Sequence, residues 1–465
     1  MKRDSEGAHD RQAKRFQVPR ACDRCKSLRR GCSENRPCRR CVKAGLGDEC
    51  VASSSAVLSP GNLPFAEWEE ALRRIRDFVE DEELVKRCID RFFDLLHPTI
   101  PVVSRQYVDH LLSEAGSPTG GLEARCLLAA LSAQVILQTD DVDGVFHDNI
   151  LPDKNGPFAR TLFCSALLGY HSLPRLTMPG LGQCLLVFFL YTCHIRLSQH
   201  AQAFLFLREA TTQLMVLKLR DEDAPWKSLM SNLFWVLLVS ERSHAIRYSR
   251  PITLQITSET PLLDDLGAEL EPFRALAHLF EPIDSHLVAA LNKEQLGTPP
   301  SHLHLNRVEA TINNAIQSTT NVKPGQTADL HITQLWLRIV LWKLRLRLGY
   351  LSNHPDQPSV TFRYPVIVAN DLVDITRQLP LDSIQMHGGG ITEKVFDIAS
   401  TLVDVLAGVP SPLPTMIYTP GGSSIRSREN LRFLRSLILQ LPDGPTIYDD
   451  LIQTHISQTM PGLLE

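Results

Sequence analysis

Six cysteines fall within 29 residues, from Cys22 to Cys50, whereas the 415 residues that follow hold only five more. Their spacing, C-x2-C-x6-C-x5-C-x2-C-x8-C, repeats one unit twice: a C-x2-C pair followed by a distant cysteine. So short a segment cannot bury a core of its own and needs a covalent or metal staple. The first twenty residues are polar and show no secretory leader pattern. The apolar run CLLVFFLYTC (184–193) is too short to cross a bilayer, which takes about 20 residues. A soluble, intracellular chain is therefore expected, where disulfides are disfavoured and clustered thiols mean metal. Zinc takes four ligands in a tetrahedron. Six thiolates close one such site with two left over, or close two sites if two sulfurs bridge. No histidine lies in the window to supply other ligands, so bridging is the economical solution. A redox C-x2-C accounts for one pair and leaves the doubled pattern unexplained.

Charge divides the chain at the same place. Residues 1–50 carry 14 Lys and Arg against 7 Asp and Glu, and the remainder carries 34 against 45, although the whole chain is only at −4. A basic head on an acidic body points to a polyanionic partner for the head alone. Two zinc ions and six thiolates sum to −2, so the attraction must come from the side chains between the cysteines. Of the two turns that follow the C-x2-C pairs, KSLRRG is the more basic. Arginine can donate two parallel hydrogen bonds to guanine in the major groove.

RACDRCKSLRRGCSENRPCRRCVKAGLGDEC resembles the fungal six-cysteine binuclear zinc cluster, the DNA-binding module of galactose-pathway-activator type. The resemblance implies two zinc ions per chain, held by Cys22, Cys25, Cys32, Cys38, Cys41 and Cys50. It implies that Cys22 and Cys38 bridge the metals, with Cys25 and Cys32 completing one site and Cys41 and Cys50 the other. Pro37 matches the proline that shapes the loop between the halves. The family reads a CGG triplet with a basic residue four positions after the second cysteine, which here is Arg29. Lys26, Arg24, Arg39 and Arg40 then fall to phosphates, which fix register without reading sequence, and Arg30 completes the basic DNA face. Leu28, Arg30 and Gly31 depart from the family's usual residues at their positions. Lys2-Arg3 and Lys14-Arg15 resemble a bipartite nuclear import signal, and equally make a disordered basic arm that adds phosphate contacts.

After a Pro-, Gly- and Ser-punctuated linker at 51–65, the pattern turns helical. Trp68, Leu72, Ile75 and Val79 step 4, 3, 4, but Glu82 and Lys86 end the register well short of a coiled coil. A helix of the downstream domain is expected there. CLLAALSAQVIL (126–137), 201–219, 228–246 and 328–348 carry apolar residues at three- and four-residue steps, as packed helices do. FFDLLHPTIPVVS (92–104) and LFWVLLVSERSHAIRYSRPITL (233–254) resemble the middle homology region of fungal zinc-cluster regulators. Glu241, Arg242 and Arg250 are read as buried or half-buried structural pairs. Cys88, Cys126, Cys164, Cys184 and Cys193 are read as small core hydrophobes. HGGG (387–390) is read as a loop, because no G-x-S-x-G nucleophile elbow, P-loop or H-E-x-x-H accompanies it. HLH (302–304) is read as a solvated loop.

The expected fold is mostly α. A basic arm (1–21) precedes the zinc cluster (22–50) and linker (51–65). An all-α regulatory domain (66–408) follows, then a tail (409–465) with one helix and an activation-type composition. The expected function, by resemblance, is a nuclear, zinc-dependent regulator of RNA polymerase II transcription, an activator of a fungal metabolic or biosynthetic gene set, and not an enzyme. Its expected partners are double-stranded DNA, a second copy through the helical domain, and a small-molecule effector or co-regulator. The rival reading is a helical scaffold or ligand sensor whose zinc module contacts protein rather than DNA.

Overall fold

A computed structural model describes residues 65–117, 121–139, 155–173, 179–217, 225–294, 297–317, 322–352, 357–408 and 422–459. The zinc-ligand candidates Cys22 to Cys50, the DNA-face residues Arg24 to Arg40 and the basic arm lie outside the described residues. The chain divides into units at Met1–Phe65 and Ala66–Glu465, and the second is described here.

Among the described residues every regular element is helical. In order they are α1 (Phe65–Glu80), α2 (Glu82–Arg91), α3 (Arg105–Ala115), α4 (Leu122–Thr139), α5 (Asn155–Ser172), α6 (Leu181–Arg196) and α7 (His200–Val216). Then come α8 (Lys227–Tyr248), α9 (Glu271–Phe280), α10 (Ser285–Leu291), α11 (His302–Asn314) and α12 (Pro324–Leu348). The last are α13 (Tyr364–Thr376), α14 (Leu381–Gln385), α15 (Gly389–Gly408), α16 (Gly422–Gln440) and α17 (Asp449–Thr459). Two π-helical turns, Phe92–Leu96 and Gly444–Tyr448, interrupt them.

Polar side chains set several boundaries. Asp81, Ser104, Asp284 and Ser301 each accept a hydrogen bond from the backbone N–H three residues on, capping α2, α3, α10 and α11. Pro324 opens α12, where its missing N–H has no intrahelical partner to lose.

Burial then decides the layering. α4 and α6 are apolar all round and buried on every face, from Cys126 to Leu137 and from Gln183 to His194, which only a helix enclosed by others tolerates. α3, α5 and α2 pack on α4, and α7 packs on α6. A second group forms around α12 and α15, with α13, α16 and α17 against them; α8 and α9 join the two. The short apolar stripe of α1 belongs to this body: Ala71, Ile75 and Phe78 are buried, and Trp68 donates to Ser172 Oγ at 2.5 Å.

Four particulars depart from the sequence reading. The body does not close at residue 408. In α16 Leu431, Leu434 and Ile438 step 3 and 4 into the core, followed by Leu441, and Ile452 and Ile456 of α17 join them. Asp449, in the stretch read as a tail of activation-type composition, is buried and held by Arg435 at 2.8 Å. HLH is the first turn of α11 rather than a loop, because Ser301 caps it. Cys164 is exposed, whereas Cys88, Cys126, Cys184 and Cys193 are buried. Burial pushes the thiols of Cys88, Cys126 and Cys184 up to about 12 and that of Cys193 higher still, so they behave as inert hydrophobes. No helix among the described residues is long and apolar enough to cross a membrane.

Candidate functional site

Where the two helical groups face each other they leave a cavity of about 260 Å3. α4, α6, α8 and α15 supply most of its wall, and the turn Asp443–Tyr448 closes one side. HGGG lies here, as a turn leading into α15. Gly388 has φ +67, a left-handed value that glycine adopts without strain, and a Cβ there would collide with the guanidinium of Arg196. A Cβ at Gly389 would collide with the Asp443 carboxylate, and one at Gly390 would come 3.3 Å from Arg247 Nη1. The glycine run is thus a close-approach surface that lets three charged side chains lie flat against the cavity wall. His387 completes the turn by contacting the Gly325 carbonyl at 2.8 Å.

Four charged side chains in the cavity form two ion pairs. Glu393 Oε2 accepts from Arg247 at 3.1 Å and from the Tyr248 hydroxyl at 3.2 Å. Lys394 lies 3.5 Å from Asp329 and donates to Thr333 at 2.6 Å. Burial lowers the Lys394 amine despite the attraction of Asp329. Burial is the strongest single influence on Asp329 and acts to raise it, but the charges of Lys394 and His387, with hydrogen bonds from Thr333 and Lys394, together hold the carboxyl below its usual range. Gln134 Oε1 and Arg247 Nε, on this wall, have no hydrogen-bond partner. None of these residues was singled out from sequence. The available signal was a charged residue within an apolar helix, as in the Glu393-Lys394 pair of α15.

The landmarks of 233–254 have structural work. Trp235 donates its indole N–H to the Pro261 carbonyl at 3.0 Å. Glu241 accepts from the backbone N–H groups of Thr253 and Leu254 at 2.8 and 2.9 Å, and from Arg208 at 3.3 Å. Arg242 donates to the Ile283 carbonyl at 2.5 Å. Glu241 and Arg242 are both buried but, being successive on a helix, point apart and do not pair with each other. Arg250, read from sequence as buried or half-buried, is instead exposed, its guanidinium 5.2 Å above the Phe204 ring. Glu241 therefore clasps the segment after Pro251 onto α8.

Comparison with known proteins bears on both halves of the chain. Residues 20–57 match the fungal Zn(2)-Cys(6) binuclear cluster domain. Over 419 residues the chain is 21% identical to the maltose fermentation regulatory protein MAL13 of Saccharomyces cerevisiae, across 83% of this chain and 84% of that one. Over 424 residues it is 22% identical to MAL63 from the same organism, across 83% and 85%. It carries the cluster domain of the fungal zinc-cluster regulators. The chain is also 23% identical over 300 residues to the probable sucrose utilization protein SUC1 of Candida albicans, spanning 61% of itself but only 58% of that relative. No solved structure was found to match it. Its cluster domain binds two zinc ions, and its class regulates transcription through DNA rather than catalysing a reaction. The donor chemistry fits: six thiols and no histidine stand in the matched segment, and thiolate is a preferred zinc ligand.

Proposed function

We propose that this regulator is a sequence-specific activator of RNA polymerase II transcription, acting in the nucleus on a fungal gene set for carbon-source use. The observation that carries the reading is the zinc-cluster match at residues 20–57, standing ahead of a body that aligns with sugar-fermentation regulators. In this reading Cys22 and Cys38 bridge two zinc ions, with Cys25, Cys32, Cys41 and Cys50 as terminal ligands. Arg29 reads guanine in a CGG half-site, while Lys26, Arg24, Arg39 and Arg40 hold phosphates beside Arg30. One half-site of three base pairs is too little specificity against a genome. Ile75 and Phe78 of α1 are committed to the helical body, so α1 is not free to act as a zipper and a second copy is recruited through the body itself. The helical body, including 92–104 and 233–254 as the middle homology region, is the regulatory half. Selection of duplexes from a random pool by the zinc-loaded full chain tests the reading: enrichment of CGG supports it, and enrichment of no motif refutes it.

A further inference from the structure

The cavity between the two helical groups has the composition of a ligand site, and its chemistry narrows the ligand. Its three cations (Arg196, Arg247, Lys394) stand against three anions (Asp329, Glu393, Asp443). Arg247 and Lys394 already have carboxylate partners in Glu393 and Asp329. A charged ligand that engaged either pair would have to break it, leaving one ion uncompensated. A neutral polar ligand would not.

The unpartnered atoms of Gln134 and Arg247 point the same way. Gln134 is 2% exposed, and its Oε1 accepts from nothing. The Arg247 side chain is 10% exposed, and its Nε donates to nothing. Both residues line the cavity. Buried polar atoms are nearly always satisfied, so an open acceptor and an open donor on one cavity call for a molecule that both donates and accepts. Hydroxyl groups do both. Ser240, Ser243 and Thr192 add hydroxyls to the wall, while Tyr248, Phe188 and Phe273 add aromatic surface for a C–H face.

Size sets a further limit. A cavity of about 150 Å3 takes benzene, with its six heavy atoms. About 260 Å3 therefore takes roughly ten heavy atoms by the same proportion. That is the size of a monosaccharide or a cyclic polyol, and about half that of a disaccharide. We propose that this cavity binds a neutral, hydroxyl-rich small molecule of monosaccharide size, with Gln134 and Arg247 in its binding wall. The proposal rests on the helical body being the regulatory half, and it gives that half its ligand class. Because Asp443 and Tyr448 close the cavity, an occupant also ties the turn before α17 to α8 and α15.

Titration calorimetry on the purified, zinc-loaded full chain tests it, with D-glucose, D-fructose and myo-inositol as neutral probes. Gluconate serves as the charged control and maltose as the oversized one. At least one neutral probe is expected to bind saturably and to slow hydrogen exchange at 443–448, while gluconate and maltose bind at least tenfold more weakly. Gln134→Leu, which keeps the volume and removes the acceptor, is expected to weaken binding at least tenfold while leaving DNA affinity unchanged. Ser240→Leu, which fills the space, is an independent second variant. Failure of all three neutral probes, preferential binding of gluconate or maltose, or unchanged binding in both variants overturns the proposal. A reporter gene driven by the chain's own DNA site separates this from the regulatory reading. Binding with a reporter indifferent to Gln134→Leu leaves the site standing and rejects the regulatory role; absent binding rejects the site alone.

Discussion

His244 makes the helical body acid-sensitive by an amount that follows from its surroundings. Its ring is 1% exposed, and both ring nitrogens lack a partner. It stacks on Phe204 at 5.5 Å and lies 4.6 Å from the Tyr248 ring. Burial, then the nearby charges of Arg247, His200 and Arg250, lower its pKa from 6.5 to about 3. Between those two values the unfolded chain binds a proton at this position and the native chain does not. Stability therefore rises with pH across the window and is lost as pH falls below 6.5. Integrated from pH 7 to pH 5, the loss from this one group is about 2 kcal/mol. His244→Phe keeps the stacked ring and removes the titration. Urea unfolding of both full-length proteins at the two pH values isolates the effect, because His97, His194, His200 and His331, also lowered by burial, are common to both. The wild type is expected to lose about 2 kcal/mol more than the variant on acidification, with the variant no less stable at pH 7. Parallel losses would show that His244 is protonated in place or solvated, and the argument would fail.

Elemental analysis of the full chain is expected to give two zinc ions, and Cys38→Ala to disturb both sites because it removes a shared sulfur; one zinc per wild-type chain contradicts the bridged arrangement. Arg29→Ala should cost about 1–3 kcal/mol on a CGG duplex and relax preference at that triplet, whereas Arg39→Ala should weaken all duplexes alike and flatten the salt slope. Equal changes in specificity would place the reading residue elsewhere. Glu241→Ala leaves two backbone donors and Arg208 without their acceptor, which should cost about 3–5 kcal/mol in urea unfolding; a loss under about 1 kcal/mol would mean that the clasp is not closed in solution.

What was legible in the sequence was local chemistry and local period. Cysteine spacing, together with the basic turn that holds Arg29, pointed to the zinc cluster through residues within one short window. The apolar steps read in what are now α4, α7, α8 and α12 pointed to a helical body because a helical period repeats within a few residues. The packing of α16 and α17 was missed because Pro, Gly and Ser at 410–423 dominate the composition of a segment whose later Leu and Ile steps are helical. Exposure of Cys164 was missed because an apolar neighbourhood in sequence does not say which way one side chain of α5 faces. The cavity was out of reach for a different reason. Gln134, Arg247, Asp329, Glu393 and Asp443 sit on separate elements, and only tertiary packing brings them to one wall. The glycines at 388–390 were visible, but their purpose is to make room for Arg196, Asp443 and Arg247, which lie far from them in sequence.

The central claim is zinc-dependent, sequence-specific recognition of DNA by the cluster at residues 20–57. Fluorescence anisotropy of the purified full chain at fixed salt, on a duplex carrying CGG and on the same duplex with that triplet scrambled, tests it most directly. Each duplex is measured with zinc present and again after chelation. The account predicts tight binding to CGG with zinc, weakening by at least tenfold on scrambling and loss of the preference on chelation. Equal binding to both duplexes, or a CGG preference that survives chelation, would contradict it.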